Sequence, residues 1–331
     1  MKAKQTKTQI GATAPRPDGA LAAILSAIAM GIILVAVIID KFIYPFGQEP
    51  LSPIIAQILI LLVPAYVLVV LAFPQKSTAE QMREIGIRRL RAEYLFFLIF
   101  TAFFAICTSF MLNMIFGGVK SAADGFTILG AFRAGKQEFS IGAPYLIATY
   151  ALIPAFVEEF AFRGVIYHSL LGMQKNIALI ISSVLYALFF FSPAQIPEAI
   201  VVGALLCFVL RTTGSLVACM LVHFVVNLYR LFLQTNISQY LITSHNRALL
   251  IIIALLAFLL SAALFFSESA RIYRARSARE KEFPERARPA KKLNAKGEWQ
   301  RLVSVFSFKP TLIASIAAIA LYIAIIVVGN I

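Results

Sequence analysis

Apolar residues fall into nine blocks along the chain, at 20–39, 53–73, 94–116, 145–166, 177–191, 196–210, 216–232, 249–266 and 310–328. A helix needs about 20 apolar residues to cross the hydrocarbon core of a bilayer, so the pattern predicts a polytopic, all-α bundle of about nine transmembrane spans. The fifth and sixth blocks are short, as expected of a broken, tilted or protein-enclosed helix. No internal repeat is visible.

Composition agrees with this pattern. Of 331 residues, 60% are hydrophobic and only 14% charged, and the mean hydropathy is +0.84, which excludes an ordinary soluble domain. The formal net charge of +14 would suggest nucleic acid in a soluble protein. Here the excess sits between apolar blocks, at 1–19, 75–93 and 267–309, so it is assigned to topology and anionic lipid, with no nucleic-acid partner. With nine spans and a cytoplasmic N-terminus, all three basic segments fall on the cytoplasmic side and the weakly charged loops fall outside. Pro284 and Pro289 argue against one continuous helix through the last basic segment. The first apolar run is too long for a signal-peptide core and reads as a retained span.

The three cysteines, Cys107, Cys207 and Cys219, lie inside apolar runs without paired spacing, so neither a disulfide framework nor a zinc ribbon is expected.

One stretch breaks the apolar pattern from within. Residues 154–171 read P-A-F-V-E-E-F-A-F-R-G-V-I-Y-H-S-L-L, placing Glu158, Glu159 and Arg163 inside the fourth span. Each such charge costs about 2.5–3.5 kcal/mol at a helix centre, so all three should face the bundle interior and mark a functional site. Glu159 and Arg163 are i and i+4 on one helical face, whereas Glu158 points about 100° away. One carboxylate is thus neutralised by the guanidinium and the other left to act as a general base. The plainer alternative is an ion pair that only locks two helices together. In the seventh span His223 and Asn227 are again i and i+4. Alone they would make an interhelical hydrogen bond, but together with a buried carboxylate they supply a base and two oxyanion donors, the groups needed to hydrolyse an amide.

These residues resemble the CPBP family of intramembrane proteases, named for CAAX prenyl endopeptidases and bacteriocin-processing proteins and also called the Abi family. Its first element, E-E-x-x-x-R, is matched by Glu158-Glu159-x-x-x-Arg163, extended by Phe162 and Gly164. Its last, H-x-x-x-N, is matched by His223 and Asn227 after Gly214-Ser215-Leu216. The likeness covers roughly 85–230. It implies three regions: 1–84, an N-terminal cytoplasmic arm with two transmembrane helices; 85–232, the protease-like core; and 233–331, C-terminal helices with the basic cytoplasmic loop 267–309. It also implies an endopeptidase that cleaves membrane-associated peptides or proteins with a water activated by Glu158, supported by Glu159 and Arg163, with His223 and Asn227 holding the oxyanion. A rival account of the family makes Glu158 and His223 ligands of a divalent metal such as zinc.

The family's middle element departs. Aligning 182–190 with S-S-x-x-F-x-x-x-H puts Tyr186 at the aromatic position and Phe190 where the histidine stands. His168 and His245 are not obvious replacements. Cys219 and Tyr186, each one turn from a motif position, are the two candidates to orient a water or bind a metal. The alternative function is a catalytically impaired relative that binds, sorts or regulates a membrane protein without cleaving it. A transporter is disfavoured by the lack of paired broken helices. The expected location is a bacterial plasma membrane.

Overall fold

The computed structural model describes residues 19–42, 52–117, 142–172, 175–190, 195–234, 237, 247–282 and 309–330. Helix α1 is Gly19–Phe42. Helix α2 (52–72) and a short interfacial α3, Thr78–Glu84, follow. Helix α4 (95–117) is entered through a single turn at Ala92–Tyr94. Then come α5, Ala143–Tyr167; α6, Lys175–Leu188; α7, Ile196–Thr213; α8 (216–234); α9, Arg247–Glu282; and α10, Lys309–Asn330. No strand occurs among the described residues.

Eight of these helices, α1, α2, α4, α5, α7, α8, α9 and α10, are long and apolar enough to cross a membrane, which with their composition makes this an integral membrane protein. The fifth expected span is α6, whose 14 residues extend about 21 Å, short of the ~30 Å hydrocarbon core. It nonetheless carries the chain across the bundle. Asn176, at its start, accepts a hydrogen bond from Arg211 at the end of α7 (2.8 Å), so the two helices run antiparallel. Helices α1 and α10 run parallel: Gly31 lies against Leu321, and further along both helices Lys41 donates to the Val328 carbonyl (3.0 Å). Among the described residues, this parallel run of α1 and α10 fits an odd number of crossings, with α6 counted beside the eight long helices. Residues 191–194, which end the expected fifth span, lie outside the described residues, as do His245 and both prolines of the basic loop.

A second difference concerns α9. Hydropathy ends the eighth span at Phe266, but the helix continues to Glu282, with no glycine or proline to stop it and with Glu268 and Arg271 paired at i, i+3. At 36 residues it is about 54 Å long. Its basic continuation lies at the same end of the bundle as the linker after α2, through an Arg271 contact to the Glu93 carbonyl (3.5 Å).

That end is tied together by backbone geometry. Gly214 caps α7 in the left-handed region (φ +66°), which only glycine adopts without strain. The chain then turns so that the Leu216 amide donates to the Gly86 carbonyl (2.7 Å) and the Ser215 hydroxyl to the Arg88 carbonyl (2.7 Å). One contiguous core runs from α1 to α10 and includes residues of all three sequence regions. Helices α9 and α10 contribute little to it; most of their surface is apolar and exposed, as expected of lipid-facing helices.

Two helices widen at prolines. Pro154 has no amide hydrogen to offer the Tyr150 carbonyl, and Pro64 none for Ile60. In both places the preceding segment, Ala148–Leu152 and Ile58–Leu62, adopts i→i+5 hydrogen bonding, the adjustment expected when a helical bond is lost.

Candidate active site

Helix α5 carries the motif where its own geometry changes. It is α-helical through Ile153–Glu159 and i→i+5 bonded through Phe160–Tyr167. Glu158 and Glu159 are thus its last α-helical residues and Arg163 lies in the widened turn. Such π-type turns recur at functional sites.

Glu159 is the hub. Its Oε1 accepts from Arg163 Nη1 at 2.8 Å and lies 2.8 Å from His223 Nδ1. The Arg163 guanidinium also donates through Nη2 to the Gly203 carbonyl (3.2 Å), and it stacks 4.3 Å over the Tyr186 ring. Arg163 and Glu159 have no exposed surface, and Glu158 and His223 are 2% and 1% exposed. Burial this complete inside a bilayer is tolerated for Glu159 and Arg163 because they pair with each other and the guanidinium also lies over the Tyr186 ring. The Glu159–Arg163 pairing expected from the i, i+4 spacing is therefore present.

Glu158 faces away from that pair. Its Oε2 stands 3.7 Å from His223 Nε2, so the two ring nitrogens of His223 address one glutamate each. Asn227, one turn on, donates from Nδ2 to the Ala151 carbonyl (3.4 Å) and accepts from Arg230 (3.3 Å). Four of the five expected residues, Glu158, Glu159, Arg163 and His223, thus meet between α5 and α8, and Asn227 follows one turn along α8 with its own contacts to Ala151 and Arg230.

The middle element lies in the same cluster. Phe190 is buried and meets the Tyr186 ring edge-on at 5.1 Å; Phe162 meets it edge-on from α5 at 5.2 Å. The Tyr186 hydroxyl is 3.3 Å from His223 Nε2. A Cβ on Gly203 would come within 3.2 Å of Ser183 and Tyr186, so this glycine allows α6 and α7 to approach closely enough to seat the phenol. Of the two candidate replacements, Tyr186 is in the site. Cys219 is not: its thiol donates to the Leu206 carbonyl (3.3 Å). His168 is also elsewhere, with Nδ1 2.7 Å from the Arg163 carbonyl and its ring beside Gly86.

A zinc site wants three protein ligands from His, Cys or carboxylate. Glu158 and His223 supply two here. Among the described residues no three such groups are placed to hold a metal: Phe190 stands at the motif position of the histidine, and Glu159 is engaged by Arg163 and His223. The donor set does not fit a protein-held zinc, and no step below is routed through one.

A second buried polar cluster was not anticipated from the sequence. Glu198, in the first turn of α7, accepts from Arg230 Nη2 (2.6 Å), from Asn113 Nδ2 (2.6 Å) and from the Ser109 hydroxyl. Glu198 and Arg230 are 1% and 6% exposed. The signal was the same as for the motif, a charge within an apolar block, but both residues stand near block ends, where charges read as interfacial. Arg230 joins this cluster to the first through Asn227.

Residues 140–229 match the family model described as type II CAAX prenyl endopeptidase, Rce1-like; the chain carries an Rce1-like domain there, consistent with the CPBP family. The match takes in α5 to α8 and all five motif residues. No curated protein and no solved structure gives a significant match.

Proposed function

We propose that this protein is an intramembrane endopeptidase that cleaves a membrane-associated peptide or protein with a water activated by Glu158. The observation that carries this reading is the 3.7 Å separation of Glu158 and His223 Nε2 while Glu159 occupies the other nitrogen.

The charge balance supports it. Glu158, Glu159 and Arg163 carry one excess negative charge in a site buried from bulk solvent, and the scheme places a proton on His223 to cancel it. Nδ1–H is then directed to Glu159 and Nε2–H is available as a donor, with Glu158 ionised as the base. Glu158 takes a proton from water as its oxygen bonds to the substrate carbonyl carbon. The carbonyl π pair moves onto oxygen, where His223 and Asn227 stabilise it. Collapse of this intermediate breaks the C–N bond, and Glu158 returns the proton to the leaving amine. Glu159 and Arg163 touch no reacting atom in this scheme; they position His223.

Phe190 motivates one other reading, a relative that binds a membrane protein without cutting it. The two readings separate on cleavage of an internally quenched hydrophobic peptide library by the full chain. If the peptidase reading holds, wild type cleaves and Glu158→Gln does not; cleavage that is indifferent to Glu158→Gln excludes it. Cleavage that arises only in Phe190→His favours the non-cleaving relative.

A further inference from the structure

We infer that Tyr186 is a catalytic residue, whose hydroxyl is an oxyanion donor beside His223. This rests on the peptidase reading and adds to it a donor beside His223.

Three observations carry it. First, the hydroxyl lies 3.3 Å from His223 Nε2, the same nitrogen that Glu158 approaches from 3.7 Å. Phenol and base therefore flank one N–H, and a carbonyl oxygen presented to that N–H also meets the phenol. Secondly, Asn227 is already engaged in the resting site, its amide on the Ala151 carbonyl and its oxygen on Arg230. The Tyr186 hydroxyl is in direct contact with His223. Thirdly, the ring is fixed on several sides: no part of it is exposed, Arg163 lies over its face at 4.3 Å, and Phe162 and Phe190 meet it edge-on. Gly203 leaves no slack behind it. An oxyanion donor is effective when it is held in place before charge develops, since no reorganisation is then required during the reaction. Phe190 thus serves as packing that holds the phenol, one helical turn away.

In the step itself no proton leaves Tyr186. When the carbonyl π pair moves onto oxygen, the Tyr186 O–H and the His223 Nε2–H both donate to that oxygen. The resting contact between them is exchanged for two contacts to the charge. Such a donor acts on the transition state more than on the bound substrate, so its removal lowers kcat and leaves KM nearly unchanged.

The test is Tyr186→Phe, which removes one oxygen and keeps the ring. Full-length protein in detergent, with the internally quenched hydrophobic peptide library as probe, should lose about 10²–10³-fold in kcat at little-changed KM. A Tyr186→Phe enzyme with wild-type kcat, alongside an inert Glu158→Gln, overturns the role of Tyr186 and leaves the peptidase reading intact. A library left uncut by wild type, or cut equally by Glu158→Gln, overturns both. An independent readout uses the small number of histidines, three in the chain. In protein labelled with 15N-histidine, with His223→Gln for assignment, Tyr186→Phe should move the His223 Nε2–H resonance and spare Nδ1–H. An unmoved Nε2–H resonance overturns the contact.

Discussion

The two buried polar clusters are neighbours built from the same residue types, and they differ in how their charge closes. Around Glu198 the account is complete: one carboxylate, one guanidinium, and Ser109 and Asn113 filling the remaining acceptor positions. Around Glu159 the Arg163 guanidinium serves that carboxylate, while the second carboxylate, Glu158, faces away to His223 Nε2 at 3.7 Å. A closed ion pair has nothing left to exchange. In the proposed scheme this charge imbalance makes Glu158 the group that exchanges a proton.

The largest expected effect comes from enlarging that imbalance. Arg163→Met leaves Glu159 facing only His223 and should cost about 3–5 kcal/mol, the usual penalty for orphaning a buried charge. It should abolish cleavage as well; thermal unfolding in detergent and the peptide assay read the two losses.

Breaking the Glu198 cluster should affect folding without the chemistry. Glu198→Gln, which strands Arg230, should lower stability by a similar amount while folded protein still cleaves. The double replacement Glu198→Leu with Arg230→Met should recover most of that stability, since apolar pairs often substitute for closed ion pairs without loss. A double variant that is stable but inert would show that the Arg230–Asn227 contact also takes part in the reaction.

A smaller effect is expected at Gly203. Adding one methyl there presses on Ser183 and Tyr186 at 3.2 Å, and overpacking of this kind costs about 1–3 kcal/mol. Because the Gly203 carbonyl also receives Arg163, Gly203→Ala should reduce kcat more than its stability loss explains. Equal stability and rate effects would make the contact purely one of packing.

Much of this was legible in the sequence. Hydropathy located the spans because lipid forces long apolar runs, and the i, i+4 rule paired Glu159 with Arg163 because a helix fixes that geometry locally. Two things were less legible. Tyr186 was a candidate by its place in the motif, but its hydroxyl acquires a partner only when α6 and α8 pack together. Glu198 and Arg230 stand near block ends, so their burial depends on α4, α7 and α8 meeting at one level, a tertiary fact. The extension of α9 was hidden differently: hydropathy detects where lipid ends, and helical hydrogen bonding does not stop there.

The parallel pairing of α1 with α10 has a consequence for biogenesis. The surface of α1 that receives Leu321 at Gly31 leaves the ribosome long before its partner is synthesised. The bundle can be sealed on that flank only after the last span inserts. Until then the α1 face at Gly31 is left to lipid or to another chain.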